Sequence, residues 1–312
     1  MLFLQNVQTA AMQVAILYVL VAVGFVCDKT GLYTEKAARL TNDLLFYIVT
    51  PAIIVQSFTA MAYSPETLKK LLFSFFGGTL LHILAILISL PFFRKGVKRT
   101  ANVYKFACVY GNVGYMALPL AAAVLGEEGV FFCSGVLIPF NIFAFTHGVR
   151  LMSGTSSEKT GFQMKWLLLN PGVISVLIGL PLFLLGVQLP RILAEPVSYI
   201  ASLNTPLAML MFGTYLAKTD LRQMFFRKET YLVAVLKLIV LPAAMLLSLR
   251  LLGVTGVLCT ALIISASAPT ANNTVMFATK YGKDTAAASQ TIAVVSFLSV
   301  LTMPLFIAIS QL

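Results

Sequence analysis

The chain has 312 residues, of which 59% are hydrophobic and only 11% are charged, and its mean hydropathy is +0.92. An ordinary soluble protein carries about 25% charged residues, so the composition excludes a chain built of soluble domains and predicts a protein that lies almost wholly in a lipid bilayer. The net charge of +11 does not indicate a nucleic-acid partner, because the Lys and Arg residues are spread over short loops and form no single patch.

The cysteines and the known catalytic motifs point to no enzyme. Cys27, Cys108, Cys133 and Cys259 share no metal-binding or redox spacing, so we expect free thiols. The sequence contains no H-E-x-x-H motif, no G-x-S-x-G motif and no phosphate-binding glycine loop. It therefore predicts no catalytic residue, no metal and no cofactor. No Lys or Arg precedes Lys29, so we expect the first apolar segment to be a retained span.

Ten apolar segments are long enough, or nearly so, to cross a bilayer, which takes about 20 residues. In chain order they cover residues 8–27, 37–58, 71–93, 103–125, 130–150, 166–186, 203–217, 231–252, 257–279 and 286–310. The seventh is short, and the stretch RILAEPVSYIAS before it suggests an interfacial helix. The predicted fold class is an all-α membrane protein.

The basic residues are distributed unevenly between the two sides of these spans. The loops after the odd-numbered spans hold 17 of the 22 Lys and Arg residues, and the even side holds four. Basic loops stay in the cytoplasm. The asymmetry predicts a multi-pass protein of the inner (plasma) membrane with both termini outside the cytoplasm.

The prolines indicate an internal repeat of five spans. Thr50-Pro51 in span two recurs as Thr205-Pro206 in span seven, and Pro119 in span four recurs as Pro269 in span nine. Because five is odd, the second half enters the membrane inverted, which is a common plan of secondary transporters. The predicted units are residues 1–151, a cytoplasmic linker at 152–165, and residues 166–312.

Spans four and nine are the segments least suited to a continuous helix. Span four contains GNVGYMALP at 111–119, and span nine contains SASAPTANNT at 265–274. Proline removes a backbone donor, and freed polar groups cannot face lipid. Paired interrupted spans at corresponding positions point to a transporter's binding site.

Helices that restart after Pro119 and after Pro269 would aim free N–H groups at the bilayer midplane, where they would attract an anion. Neutral amides beside them would add donors and acceptors, so a substrate carboxylate fits such a site. The alternative is that the asparagines satisfy one another between helices. The candidate substrate-binding residues in these two segments are Asn112, Tyr115, Pro119, Pro269, Thr270, Asn272 and Asn273.

Three motifs resemble the auxin efflux carrier family, which includes bacterial malate or malonate permeases and the plant PIN exporters. They are GNVGYMALPL, NPGVISVLIGLPLF at 170–183 and APTANNTVMFATKYGKD. LLFYIVTPAII in span two and LKLIVLP in span eight fit the same pattern. The resemblance covers essentially the whole chain, and the spacing of Asn112 and Pro119 matches it.

The resemblance implies the fold of the bile acid:sodium symporters, with spans four and nine crossing at their prolines. Spans one, two, six and seven would form a scaffold, through which a homodimer could assemble. Spans three to five and eight to ten would form a mobile transport domain. Asn141 matches a family asparagine and is a further candidate for substrate binding. The long cytosolic loop of the plant exporters is absent.

Two ionised side chains lie well inside the predicted spans, namely Asp43 and Lys237. An intramembrane charge is a functional hypothesis by default, so both are candidates for coupling or for lining a vestibule. Lys237 could instead extend to the membrane surface along its aliphatic stem, and Asp43 could simply be exposed at the interface. We expect His82 and His147 to be hydrogen-bonded core residues.

The sequence thus predicts a carrier of a small organic anion, such as malate, malonate or an auxin-like acid, working by elevator-type alternating access. The crossing contains no carboxylate, which favours transport that does not depend on sodium. The alternatives are a sodium- or proton-coupled symporter, a channel and a non-transporting membrane sensor.

Overall fold

The computed structural model describes residues 2–93, 98–153, 169–217 and 227–312, and the chain is all helical within these ranges. The helices are α1 (Leu2–Lys29), α2 (Glu35–Ala60), α3 (Pro65–Ser89), α4 (Lys98–Val109), α5 (Val113–Ser153), α6 (Pro171–Leu184), α7 (Arg191–Ser202), α8 (Asn204–Ala217), α9 (Lys228–Leu251), α10 (Gly256–Ser267), α11 (Asn273–Lys280) and α12 (Thr285–Ser310).

In the described ranges, six helical runs are long and apolar enough to cross a membrane. They are α2, α3, α5, the run Arg191–Ala217 that joins α7 and α8, α9 and α12. Helices α6 and α10 are apolar but shorter. The finding supports a multi-pass membrane protein, and the count of ten spans stays a prediction. Most of the predicted linker at 152–165 lies outside the described residues.

Predicted spans four and nine are each interrupted. Span four consists of α4 and the first part of α5, and span nine consists of α10 and α11. Spans four and five join within α5 at Gly126, whose φ of 67° and ψ of −154° break the helix between two apolar runs. A positive φ of this kind is readily adopted by glycine.

Side-chain caps define several helix starts. Ser64 Oγ accepts from the Thr67 N–H at 3.0 Å, and Asn170 Oδ1 accepts from the Gly172 N–H at 2.9 Å. Such caps satisfy amide groups that have no partner inside the helix. In addition, the separate helix α7 corresponds to the stretch that the sequence suggests as interfacial, and its side chains are mostly exposed.

Three helices contain a wide π-helical turn just before a proline. Each turn ends two residues before a proline: Leu45–Val49 before Pro51, Val113–Ala117 before Pro119, and Leu236–Val240 before Pro242. A proline ring collides with the carbonyl four residues earlier, and a wider turn gives it room. Single π-turns within helices are frequently found at functional sites.

Small residues bring α1 and α8 into close contact. A Cβ atom on Gly24 would lie 2.2 Å from the carbonyl oxygen of Leu210, and one on Gly213 would lie 2.1 Å from that of Val21. Close backbone approach at small residues is typical of membrane helix pairs. Elsewhere in the bundle, α5 packs against α3 and α10, and α12 packs against α1, α4, α9 and α10.

Candidate functional site at the helix crossing

The two interrupted segments meet in the structure, at a place that we call the crossing (residues 110–112 and 268–272). The Asn112 N–H donates to the carbonyl oxygen of Pro269 at 2.7 Å, and the Ala271 N–H donates to that of Tyr110 at 2.9 Å. Gly111 and Thr270 thereby form an isolated antiparallel bridge. The bridge supplies partners to backbone groups that have no helical partner.

Thr270 ties the two arms together through its side chain. Its hydroxyl is buried and donates to the carbonyl oxygen of Ala107 at 3.0 Å, near the end of α4. That carbonyl lies in the last turn of α4, where helix carbonyls lack helical partners. The hydroxyl donor of this candidate residue is therefore engaged by the fold.

The first arm resumes as a helix earlier than predicted. The expectation that a helix restarts after Pro119 is wrong, because α5 begins at Val113 and Pro119 lies inside it. The physical cause is Asn112, whose Oδ1 accepts from the Tyr115 N–H at 3.2 Å and caps the new helix. The π-turn that follows then accommodates the proline.

The second arm resumes at Asn273, just after Pro269, as predicted. Asn272 and Asn273 are half-buried, as are Gly114 and Tyr115 on the first arm. Within the described part of the chain, nothing accepts a hydrogen bond from the backbone N–H of Gly114, Asn272 or Asn273. Two helix starts with free donors therefore lie on either side of one backbone bridge.

Groups from three helices gather beside the start of α5. Tyr115 is close enough to interact electrostatically with Asp43 of α2 and Tyr215 of α8. Asp43 itself is exposed. The structure thus leaves Asp43 accessible and places it towards the Tyr115 side of the crossing.

The position of Lys237 decides between the two alternatives that the sequence leaves open. It does not extend to the membrane surface, because its side chain is only 1% exposed. Its Nζ lies 2.9 Å from the position that a Cβ atom on Gly111 would occupy, and the carbonyl oxygen of Ala268 lies 3.2 Å from the same position. The structure therefore brings the buried Lys237 side chain to the crossing.

Asn141 is engaged away from the crossing. Its Nδ2 donates to the carbonyl oxygen of Leu137 at 2.8 Å, and its Oδ1 accepts from Asn170 Nδ2 at 3.0 Å. Asn170 in turn caps α6. The contacts of Asn141 thus join α5 to the start of α6, and none of them reaches Asn112 or Asn272.

The two histidines are hydrogen-bonded within the bundle. His82 Nδ1 donates to the carbonyl oxygen of Gly78 at 2.6 Å, and the ring stacks on Phe143. The hydroxyl of Tyr110 donates to the carbonyl oxygen of Phe143 at 2.7 Å and lies 2.9 Å from His147 Nδ1. Because the hydroxyl has one proton, His147 Nδ1 is the donor in the second contact.

A polar clamp joins three segments next to the transmembrane helices. Asp284 caps α12 through the Ala287 N–H at 2.9 Å and accepts from Arg227 Nη1 at 3.2 Å and from Thr100 Oγ1 at 3.3 Å. Burial acts to raise the pKa of Asp284, but these hydrogen bonds and the positive charge of Arg227 outweigh it and lower the pKa below 3.8.

A cleft of about 210 Å³ lies between α2, α5 and α7, beside the Gly126 turn. Gln56 Nε2 donates to Glu127 Oε1 across it at 3.0 Å. The lining includes Ser57 and Ser198 and does not include residues of the crossing. Among the described residues, no three His, Cys, Asp or Glu side chains lie close enough together to hold a metal ion.

Comparison with known proteins identifies the family. A family described as "Membrane transport protein" matches residues 9–307, which is nearly the whole chain. This is the auxin efflux carrier family that the motifs resemble.

Two relatives agree with this result. An uncharacterized transporter of Methanocaldococcus jannaschii is 24% identical over 301 residues, which cover 94% of this chain and 96% of the relative. A protein of Rhizobium meliloti named "Putative malonate transporter" is 25% identical over 291 residues, which cover 91% of this chain and 90% of the relative. The chain therefore belongs to the membrane transport protein family of auxin efflux carriers, and it is a transporter and not an enzyme.

Proposed function

We propose that this transporter is a secondary carrier of a small organic anion and that a substrate carboxylate binds at the crossing. The observation that carries the proposal is the pair of helix starts at Val113 and Asn273, which lie beside one backbone bridge with unpaired N–H donors. Such helix ends favour anions. The half-buried amides of Asn272 and Asn273 add neutral donors.

Malonate is the first substrate to test, because the relative from Rhizobium meliloti carries that substrate in its name. A dicarboxylate also suits a place where two positive helix ends converge. Malate and auxin-like acids carry the same chemistry and belong in the same screen. Asn112 would act chiefly by shaping the first helix start, since its side chain caps Tyr115.

We propose ten membrane spans in two inverted repeats, with the fold of the bile acid:sodium symporters. The support comes from the matching interruptions, since α4 and α10 both end at the crossing and α5 and α11 both begin there. We also propose that the protein lies in the plasma membrane with both termini outside the cytoplasm, and the distribution of basic residues supports this orientation.

The mechanism that we propose is elevator-type alternating access. Helices α1, α2, α6 and α8 pack among themselves, and α3, α4, α5 and α9 to α12 pack around the crossing, with α1 and α12 in contact between the two groups. The first group would be the scaffold, with a homodimer formed through it, and the second group would move. The cleft at Gln56 and Glu127 lies between α2 of the first group and α5 of the second.

The experiment is a thermal-shift screen of the purified protein, followed by uptake into proteoliposomes. Malonate should raise the melting temperature, because a ligand that binds the folded state stabilises it by mass action. Uptake of radiolabelled malonate should saturate with concentration. Binding without uptake would identify a sensor, flux that does not saturate would identify a channel, and no stabilisation by any mono- or dicarboxylate would exclude the anion site.

A further inference from the structure

We propose that the ammonium group of Lys237 is a cation tethered inside the carrier and that it takes the place of a coupling ion at the crossing. The inference rests on the proposed function and deepens it, because it states why an organic anion would be carried without sodium. It also makes Lys237 the residue that sets the preference for a negatively charged substrate.

The first support is the position of the side chain. Lys237 lies in the π-turn Leu236–Val240 of α9 and is 1% exposed. Its Cε and Nζ lie 3.3 Å and 2.9 Å from the site of an absent Cβ on Gly111. Only glycine at position 111 leaves that space open. The Lys237 side chain therefore packs directly against the backbone of the crossing.

The second support is the electrostatic surroundings. Helix α4 ends at Val109 and α10 ends at Ser267, so two negative helix ends converge beside Lys237. In carriers built on broken helices, half-helix ends and unwound carbonyls of this kind coordinate the coupling sodium or proton. Here a lysine of the chain itself supplies positive charge at that place.

The third support is that no described carboxylate neutralises this charge. The ion pairs of the described residues involve Arg39, Lys70, Arg191 and Arg227, and none involves Lys237. The titratable groups that interact with the ammonium electrostatically are Cys108 and His82. A buried cation without a counter-ion is costly, and a substrate carboxylate would supply the missing negative charge.

The charge balance has a consequence for the transport cycle. With a monocarboxylate bound, the crossing carries no net charge, whereas the empty carrier carries one positive charge and the carrier loaded with doubly charged malonate carries one negative charge. Moving an uncompensated charge through a bilayer is expensive. The carrier loaded with a monocarboxylate should therefore move faster than the empty one, and exchange of internal for external monocarboxylate should exceed its net uptake.

The test measures malonate affinity of the full-length protein by thermal shift, in sodium chloride and in choline chloride. Wild type should bind equally well in both salts. Lys237→Met should lose at least about tenfold in affinity, the loss expected for a hydrogen bond to a charged group. The matched control is Lys228→Met, which removes one exposed positive charge from the start of the same helix and should bind as wild type does.

Gly111→Ala keeps the proposal testable if Lys237→Met fails to fold. Its Cβ would displace the flexible end of Lys237, 2.9 Å away, without removing the charge. We expect weaker malonate binding, because the ammonium group is displaced from the crossing.

Two results would overturn the inference. One is wild-type affinity that rises at least tenfold with sodium. The other is malonate binding by Lys237→Met, or by Gly111→Ala if the first variant does not fold, within twofold of wild type. If wild type itself binds no carboxylate, the proposed function fails first, and the two failures are distinguishable.

Discussion

The backbone N–H of Asn112 donates a hydrogen bond of 2.7 Å to the carbonyl oxygen of Pro269. One residue thus serves two purposes, since its backbone joins the two broken segments while its side chain caps α5 through Tyr115. Any substitution other than proline keeps the backbone bond. The contributions of the crossing and of the cap are therefore separable by mutation.

The amides of Asn272 and Asn273 should contribute to substrate binding and not to stability. Neither side chain makes a hydrogen bond to another described residue, and Asn272 makes no side-chain cap. Replacing either by Ala should weaken malonate binding about 10- to 150-fold, corresponding to about 1.5–3 kcal/mol for a hydrogen bond to a charged group. Thermal shift with and without malonate measures both quantities.

Asn102→Ala is the matched control for these variants. Its Nδ2 donates to the carbonyl oxygen of Leu151 at 2.7 Å, away from the crossing. This variant should lower the melting temperature of the ligand-free protein and leave malonate affinity unchanged. Wild-type affinity in both Asn272→Ala and Asn273→Ala would remove these amides from the site.

Gly213→Ala should destabilise the pair formed by α1 and α8. Its Cβ would lie 2.1 Å from the carbonyl oxygen of Val21, and backbone cannot move aside as a side chain can. Overpacking of this kind costs about 1–3 kcal/mol. Gly114→Ala provides the comparison, because nothing lies within 4 Å of its Cβ position. Equal melting temperatures for the two alanine variants would contradict the packing.

Asp284→Asn should destabilise the protein in a pH-dependent way. The folded-state pKa of Asp284 is lowered, so its charge stabilises the fold at pH values above its ordinary pKa of 3.8, and this stabilisation is lost as the pH falls through the lowered value. At pH 7 we expect a loss of about 0.2–1 kcal/mol.

Melting temperatures between pH 7 and pH 3 check the Asp284 prediction. The difference between wild type and Asp284→Asn should shrink below pH 3.8. Asp284→Ala should be less stable than Asp284→Asn throughout, because it also removes the cap on Ala287, which is worth about 1 kcal/mol. A difference that does not change with pH would show that the charge is not involved.

Cysteine labelling tests the orientation. In a background without reactive native thiols, a cysteine at Glu127, which is exposed at the Gly126 turn, should react with an impermeant reagent in intact cells. A cysteine at Ser156, outside the described residues, should react only after permeabilisation. The opposite pattern would place the termini in the cytoplasm.

Composition and local chemistry were enough to predict an all-helical membrane transporter and the two interrupted segments. Proline, glycine and asparagine disrupt helices locally, so GNVGYMALP and SASAPTANNT mark the breaks from the sequence alone. The exact restart of α5 was not predicted, because Asn112 can cap a helix only once a backbone bridge has fixed the residue before it.

The sequence did not predict whether the Lys237 side chain is buried or extends to the membrane surface. A lysine in an apolar helix can extend to the surface or point inward, and its own type does not decide between them. The burial pattern of α9 in the structure decides between them. Tyr231, Val235 and Ile239 are exposed at intervals of four residues, so they define one face of α9, and Lys237 lies opposite that face. The contact with Gly111 depends on tertiary packing and could not be foreseen.

The wide turn at Leu236–Val240 changes how α9 should be drawn as a helical wheel. A π-turn takes in one residue more than an α-turn, so everything beyond it is rotated by about 100° relative to a regular helix. Three consecutive side chains, Leu236, Lys237 and Leu238, are consequently buried together. Deleting one residue from this turn would restore a regular α-helix. The part of α9 that contains Lys237 would then be rotated relative to the part that contains Pro242. The register of the backbone, as well as the identity of the residue, thus decides whether an ammonium group faces the crossing.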